Sequence, residues 1–302
     1  MKLLNYRYTE NSSPRLGTFK NGELLDVRKL FETRYASNAP DWFDSVDCLL
    51  KGGEHAFEIL KKLLEGRNGN EQSCIVQEGN IEYLPPVLKP SKMLMVGINY
   101  SSHAPEPGAK PPQEPYVFIK LPNGLLGHKG TVNVPEYSRQ PDNEIELALV
   151  IGKRCKDVSK DEAMDCVAGY TVMNDFSFRD LRAHPSPIHK VNWLRLKNLD
   201  NAAPMGPWMV TKDEVKDPYN LEIKVRINGK TQQSARTDTI THKIPALLEY
   251  ISKGITLEPG DIISTGTPLK NGSMTGEYLK DGDLVQAGIE QVGELETRIR
   301  FL

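Results

Sequence analysis

Two glutamates open an otherwise apolar segment of the chain. Glu144 and Glu146 lead into Leu147–Ile151, in which every residue is apolar. Residues two apart share one face of a β-strand, so both carboxylates would point the same way as Ala148 and Val150. Two buried like charges at that separation require a proton on one of them or a cation between them. A pair of oxygen ligands indicates Mg²⁺, Mn²⁺ or Ca²⁺ rather than zinc.

The alternative is a strand that begins in solvent, with both glutamates hydrated, and the pattern alone does not separate the two interpretations. A third acid, Asp175, follows the apolar segment Gly169–Asn174. By itself, an aspartate where a strand gives way to a turn is more often a turn or cap residue.

His103 and Glu106 are three residues apart and would share a face of one helical turn. A carboxylate that orients an imidazole makes a general base near neutral pH. The alternative is a surface histidine in a proline-rich loop, which is also the simplest interpretation of His184 and His189. Basic side chains beside such a site would favour an anionic substrate or a developing enolate, although each is otherwise an ordinary solvated charge; the candidates are Arg179, Arg182 and Lys197.

The elements that would position these residues divide the chain in two. An Asn21-Gly22 turn between apolar stretches predicts a hairpin, and helical spacing predicts a helix over Glu54–Leu64. The stiff connector Pro85–Pro90 marks a boundary. We therefore predict a small N-terminal α/β domain over residues 1–85 and a larger domain over residues 90–302.

The larger domain is predicted to be rich in strands that do not alternate regularly with helices, which favours an α+β fold. The predicted strands are Met93–Gly97, Glu144–Ile151, Ala168–Met173, Trp208–Val210, Leu221–Ile227, Asp261–Thr265, Leu284–Ile289 and Leu295–Phe301. Helices are predicted over Ser159–Cys166 and Ile244–Ser252, and a hairpin turn at Asn228-Gly229. The proline-rich stretch between Pro105 and Pro122 is predicted to be a loop.

Composition excludes several classes of function. The chain has 302 residues, with 38 basic and 40 acidic side chains and a net charge of −2, whereas nucleic-acid-binding proteins normally carry a basic surplus. Its longest apolar runs are about a third of a membrane span, and Arg7 interrupts any signal-peptide core. Four scattered cysteines indicate buried reduced thiols. We expect a soluble, cytoplasmic protein with no nucleic-acid or membrane partner.

Taken in order, six segments resemble the fumarylacetoacetate hydrolase family from about Lys89 to Phe301. They are Gly-Ile-Asn-Tyr-x-x-His-x-x-Glu (97–106), Val-Phe-Ile-Lys (117–120), Glu-Ile-Glu-Leu-Ala-Leu-Val-Ile-Gly-Lys (144–153), Gly-Tyr-Thr-Val-Met-Asn-Asp-Phe-Ser-Phe-Arg-Asp-Leu (169–181), Pro-Met-Gly-Pro-Trp (204–208) and Leu-Glu-Pro-Gly-Asp-Ile-Ile-Ser-Thr-Gly-Thr-Pro (257–268). Longer members of the family also carry a small N-terminal domain.

The resemblance implies a metal-dependent enzyme of 2-oxo acid catabolism with a β-rich roll or sandwich fold, usually a homodimer. Glu144, Glu146 and Asp175 match the carboxylates that hold Mg²⁺, Mn²⁺ or Ca²⁺. His103 and Glu106 match the dyad that activates water or moves a proton, and Lys197 the lysine that stabilises an oxyanion or enolate. Substrate contacts are implied for the residues at four further positions: Lys120, Arg179, Arg182 and Thr267.

The leading hypothesis is hydrolysis of a C–C bond in a small anionic acylpyruvate or diketo acid. Alternatives are a decarboxylase, isomerase or lyase on a related acid, of the oxaloacetate decarboxylase or 2-hydroxyhepta-2,4-diene-1,7-dioate isomerase type, or a catalytically weak protein that retains the metal. Three features depart from the family: Arg182 stands where glutamine is common, Pro105 lies between His103 and Glu106 with Pro107 next, and Leu269-Lys270-Asn271-Gly272 replaces a small-residue turn that contains glycine.

Overall fold

A computed structural model of the chain describes residues 1–65, 71–101, 112–183, 190–268 and 271–302. The strands are β1 (Lys2–Arg7), β2 (Arg15–Lys20), β3 (Glu23–Asp26), β4 (Glu82–Leu84), β5 (Met93–Gly97), β6 (Tyr116–Lys120), β7 (Leu125–Leu126), β8 (Thr131–Val134), β9 (Pro141–Asp142), β10 (Ile145–Ile151), β11 (Val167–Asn174), β12 (Ser177–Phe178), β13 (Ala203–Thr211), β14 (Glu222–Ile227), β15 (Lys230–Arg236), β16 (Ile262–Ser264), β17 (Leu284–Ile289) and β18 (Gly293–Phe301). The helices are α1 (Val27–Tyr35), α2 (Val46–Glu65), α3 (Lys160–Ala163), α4 (Trp193–Lys197), α5 (Ile244–Ser252) and α6 (Gly272–Thr275).

Most of these strands form one large mixed sheet. Its order is β3-β2-β1-β13-β11-β10-β16-β5-β6, with β4 beside β1 and β7 beside β13. β10 pairs antiparallel with β11 and β16, and β16 pairs parallel with β5. A second sheet has the order β15-β14-β17-β18-β8, and β9 pairs with β12. The β-rich α+β fold predicted from the sequence is confirmed.

The faces of β10 separate two apolar cores. Ile145, Leu147, Leu149 and Ile151 pack in a cluster that also contains side chains of β14, β17 and β18 from the second sheet. Ala148 and Val150 point the other way, into a cluster shared with α1 and α2. The alternation predicted for this strand is therefore confirmed, and it puts Glu146 on the side of Ala148 and Val150.

Both predicted Asn-Gly hairpins are present. Asn21 and Gly22 have φ angles of 53° and 85° between β2 and β3, and Asn228 and Gly229 have 52° and 77° between β14 and β15. Two consecutive positive φ angles suit the twist of antiparallel strands, and asparagine followed by glycine adopts them at low cost.

Three predicted elements differ from the structure. Residues 116–120 form β6 and not a loop, because the prolines lie outside Tyr116–Lys120 and the apolar side chains there can pair with β5. The predicted helix Glu54–Leu64 is the second part of α2, which bends at Gly53 with φ 61°. Of the predicted helix Ser159–Cys166, only Lys160–Ala163 is α-helical, and a 3₁₀ turn covers Met164–Cys166.

The N-terminal residues are joined to the rest of the chain through the large sheet. β1 pairs antiparallel with β13, with Lys2 opposite Val210 and Leu3 opposite Met209. Asp47 on α2 accepts hydrogen bonds from the backbone N–H groups of Leu88 and Lys89, all at 3.0 Å, which anchors the connector. The division into two domains stays a prediction. Across the described residues, no helix is both long and apolar enough to cross a membrane.

Candidate active site

The ends of β10 and β11 bring the three predicted carboxylates together. Glu144 lies just before β10, Glu146 on it, and Asp175 just after β11; the Asp175 N–H donates to the Glu144 carbonyl at 2.8 Å. Glu144, Glu146 and Asp175 are only 8%, 3% and 1% exposed. The interpretation with both glutamates in solvent is therefore wrong. Asp175 does lie in the turn between β11 and β12, but it is buried beside Glu144.

Lys197 supplies positive charge between two of these acids. Its Nζ donates to Glu144 Oε2, to Asp175 Oδ2 and, at 3.2 Å, to the Asp175 carbonyl. The lysine ends the short helix α4, and it lies 5.5 Å from the centre of the Phe118 ring on β6. Burial alone would lower the pKa of Lys197, but the charges of Asp175 and Glu144 outweigh it and raise the pKa, so the group is an ammonium ion.

A second buried lysine binds the other side of Asp175. Lys120, at the end of β6, donates from Nζ to Asp175 Oδ1 at 2.8 Å and to the Phe176 carbonyl at 3.0 Å. Its side chain is fully buried. Burial lowers the pKa of Lys120, and the charge of Asp175 partly offsets that effect. Each carboxylate oxygen of Asp175 thus faces a different lysine.

Arg179 and Asn271 hold the opposite oxygen of Glu144. The Arg179 guanidinium donates from Nη2 to Glu144 Oε1 and from Nε to Asp142 Oδ2, the latter at 2.7 Å. Asn271 Nδ2 donates to the same Glu144 oxygen at 2.7 Å. Burial would raise the pKa of Glu144, but the charges of Lys197 and Arg179 outweigh it and hold the pKa below its usual range.

Glu146 has the opposite electrostatic environment. Burial raises the pKa of Glu146 well above its usual value, and the negative charges of Asp175 and Glu144 raise it further. Its Oε2 atom is buried and finds no hydrogen-bond partner among the residues that the structure describes. A buried, unpaired carboxylate oxygen beside two other carboxylates is costly unless a cation or a proton joins it.

This arrangement fits an oxygen-ligated divalent cation. Within the described ranges, no three His, Cys, Asp or Glu side chains are arranged as a metal site, and the Lys197 ammonium lies between Glu144 and Asp175. The donors themselves are three buried carboxylates, and one oxygen of Glu146 is not paired with any group in the described part of the chain. All-oxygen donor sets of this kind suit Mg²⁺, Mn²⁺ or Ca²⁺.

Comparison with known proteins decides the family. The model of the fumarylacetoacetate (FAA) hydrolase C-terminal family matches residues 92–300, more than half of the chain. The chain belongs to the fumarylacetoacetate hydrolase family. That assignment confirms the resemblance seen in the sequence.

Individual relatives of this family cover nearly the whole chain. Oxaloacetate tautomerase fahd2, mitochondrial, of Xenopus laevis is 35% identical over 305 residues, which is 99% of this chain and 90% of the relative. A solved 2-hydroxyhepta-2,4-diene-1,7-dioate isomerase of Mycobacterium marinum is 28% identical with a TM-score of 0.72, covering 100% of this chain and 98% of the other. Maleylpyruvate hydrolase of Sphingobium sp. SYK-6, solved with manganese(II) and pyruvate, is 27% identical with a TM-score of 0.75, covering 100% and 99%.

Of the remaining residues predicted from the family resemblance, the structure describes Thr267 and Arg182. Thr267 is buried in the segment after β16, where Thr265 donates through N–H and Oγ1 to the carbonyl of Leu147 on β10. The Arg182 side chain is exposed. His103 and Glu106 lie outside the described residues, as do Pro105 and Leu269-Lys270, so their roles stay predictions.

Three residues that contact the candidate site of this fumarylacetoacetate hydrolase family member were not identified from the sequence. Asp142 binds Arg179, Ser177 Oγ donates to Glu144 Oε2 at 3.1 Å, and Asn271 binds Glu144 Oε1. Asp142 could have been found, because it stands two residues before Glu144 in the same alternating pattern as Glu146. Ser177 and Asn271 reach the site only through tertiary packing, and no local spacing marks them.

Proposed function

We propose that the protein is a divalent-metal-dependent enzyme that interconverts the keto and enol forms of a small 2-oxo dicarboxylic acid, with oxaloacetate as substrate. The observation that carries this proposal is the buried group of three carboxylates with a lysine ammonium between two of them. An enolate needs positive charge at its oxygen in a place from which water is excluded. The similarity to an oxaloacetate tautomerase over 99% of this chain supports the choice of reaction.

Glu144, Glu146 and Asp175 would hold Mg²⁺ or Mn²⁺, which when bound supplies a Lewis acid for the 2-oxo group. Lys197 is the residue best placed to stabilise negative charge on the C2 oxygen, because its ammonium is buried and its pKa is raised. Arg179 adds a second cation that is fixed by Asp142. These charges favour a dianionic substrate.

The reaction moves one proton from C3 of the substrate to its C2 oxygen and leaves the atoms otherwise unchanged. Lys197 would stabilise the enolate by charge and hydrogen bonding. The base that removes the C3 proton is assigned to His103, oriented by Glu106; this assignment rests on the family motif alone.

The test is the rate at which enol oxaloacetate loses its ultraviolet absorbance in the presence of Mg²⁺ or Mn²⁺. We expect the wild type to accelerate the conversion well above metal ion alone, with no more pyruvate or CO₂ released than metal ion alone produces, and Glu146→Gln to lose the acceleration. Met274→Ala, at an exposed position, is the matched control. A wild-type rate equal to that of metal ion alone would exclude the tautomerase.

A second candidate is hydrolysis of a C–C bond in an acylpyruvate. It is favoured by the His103 and Glu106 motif, whose family counterpart activates water, and by the similarity to maleylpyruvate hydrolase. A screen of acylpyruvates separates the two, because hydrolysis releases pyruvate and a second acid in equal amounts. If wild type and His103→Ala are equally slow on every 2-oxo acid, the protein is the catalytically weak metal-retaining alternative.

A further inference from the structure

The short segment that begins at Asn271 packs directly onto the carboxylate of Glu144. Asn271 Nδ2 donates to Glu144 Oε1 at 2.7 Å across a separation of 127 residues in sequence. Asn271 is 6% exposed and Glu144 is 8% exposed, so the hydrogen bond is shielded from water. A hydrogen bond to a buried charged acceptor is among the stronger ones in proteins.

The amide of Asn271 is itself fixed in orientation. Ser273 Oγ donates to Asn271 Oδ1 at 2.6 Å, so the oxygen of the amide faces Ser273 and its NH₂ group faces Glu144. The Asn271 carbonyl accepts the backbone N–H groups of Met274 and Thr275 at 2.9 and 3.1 Å. The side chain is therefore held at both its polar atoms.

The next residue anchors the segment to the same cluster. The Gly272 N–H donates to Asp142 Oδ1 at 2.8 Å, and Asp142 in turn binds Arg179. A Cβ at position 272 would lie 2.6 Å from the Glu277 carbonyl oxygen and 3.0 Å from Asp142 Oδ1, so this close approach requires glycine. The segment is thus held by one hydrogen bond to Asp142 and one to Glu144.

The hydrogen-bond donors to Glu144 form two pairs, one for each of its carboxylate oxygens. Asn271 and Arg179 donate to Oε1, whereas Lys197 and Ser177 donate to Oε2. The pair at Oε1 fixes the rotation of the carboxylate and turns Oε2 toward Asp175. Unlike Arg179, Asn271 does this without adding further positive charge beside Glu144.

We propose that Asn271 is a positioning residue that presents Glu144 to the divalent cation of the enzyme; this inference rests on the function proposed above. Groups that orient a metal ligand typically change metal affinity or activity by 10–100-fold when they are removed. Asn271→Leu keeps the volume of the side chain and removes the donor. Ser273→Ala leaves Asn271 in place but frees its amide to rotate.

The experiment titrates Mn²⁺ into the full-length protein and follows free and bound ion by electron paramagnetic resonance. We expect Asn271→Leu to bind Mn²⁺ roughly 10–100-fold more weakly and to show an altered spectrum at saturation. Ser273→Ala should weaken binding by a smaller factor, and the double variant should be no weaker than Asn271→Leu alone. Met274→Ala, in the same segment and 50% exposed, should bind as the wild type does.

Each contrary result has a distinct meaning. If Asn271→Leu binds Mn²⁺ with unchanged affinity and spectrum, the positioning role is refuted while the proposed function stands. If the wild type binds no Mn²⁺, the proposed function fails and this inference fails with it. If circular dichroism shows that Asn271→Leu does not fold, Ser273→Ala decides, because wild-type binding by that surface variant refutes the role.

Discussion

Replacing Lys197 with methionine should destabilise the protein when no metal is present, although methionine fills nearly the same space. Lys197 is 3% exposed, and its ammonium neutralises the facing oxygens of Glu144 and Asp175. Without this ammonium, four carboxyl side chains remain buried together. Only two basic side chains of the site, Lys120 and Arg179, are left to compensate them.

Removing one partner of a buried ion pair costs about 3–5 kcal/mol, because the other partner stays buried without compensation. Unfolding entropy of about 2.1 cal/mol/K per residue means that each kcal/mol lowers the melting temperature of a chain of 302 residues by about 1.6 °C. We therefore expect Lys197→Met to melt roughly 5–8 °C below the wild type in a chelator. Lys253→Met, at an exposed position, is the matched control and should melt within about 2 °C of the wild type.

Thermal and urea denaturation with and without Mn²⁺ provide the measurement. A divalent cation that binds the folded variant stabilises it by mass action, so Mn²⁺ should raise the melting temperature of Lys197→Met more than that of the wild type. The reasoning is refuted if Lys197→Met in chelator is as stable as Lys253→Met, because the lysine would then not compensate the buried acids.

Three other substitutions test separate parts of the structure. Glu146→Gln replaces a carboxyl group whose charged form is disfavoured by burial and by two neighbouring carboxylates. It should leave the metal-free protein at least as stable as the wild type and abolish its stabilisation by Mn²⁺, as measured by thermal denaturation. Burial lowers the pKa of His128 to about 4, below the value of about 6.5 in the unfolded chain. The neutral imidazole therefore contributes fully to the free energy of unfolding above pH 6.5, and this contribution is lost as the pH falls toward 4. In His128→Asn, which can still accept from the Glu296 N–H, urea denaturation should show about 1–3 kcal/mol less loss of stability over that range. Asp47→Ala removes the acceptor of the Leu88 and Lys89 N–H groups. It should lower the free energy of unfolding by about 1–3 kcal/mol, as measured by urea denaturation.

Local patterns predicted the elements that local forces determine. The alternation along β10 was sufficient because one face of that strand packs against the second sheet and the other against helices. The Asn-Gly turns were sufficient because few other residue pairs adopt two positive φ angles. The prediction of a loop between Pro105 and Pro122 was wrong for Tyr116–Lys120. A high density of prolines does not show that the apolar run between them pairs with β5.

The site depends on contacts that no short window contains. Burial of Glu144 and Glu146 follows from the position of β10 inside the large sheet, which spacing alone left undecided. Lys197 and Asn271 reach Glu144 across 53 and 127 residues of sequence. The family motif identified the first and not the second, since Asn271 lies in the turn where this chain departs from the family.

The pairing of β1 with β13 cannot form until most of the chain has been synthesised. The partners Lys2 and Val210 are 208 residues apart, and translation at about 5–20 residues per second makes the second strand available about 10–40 s after the first. Before then β1 can pair with β2 along its other edge. The edge at Lys2 and Leu3 stays without its partner strand until β13 has been synthesised. The nascent chain therefore carries an open strand edge through most of its synthesis, which makes early chaperone contact there valuable.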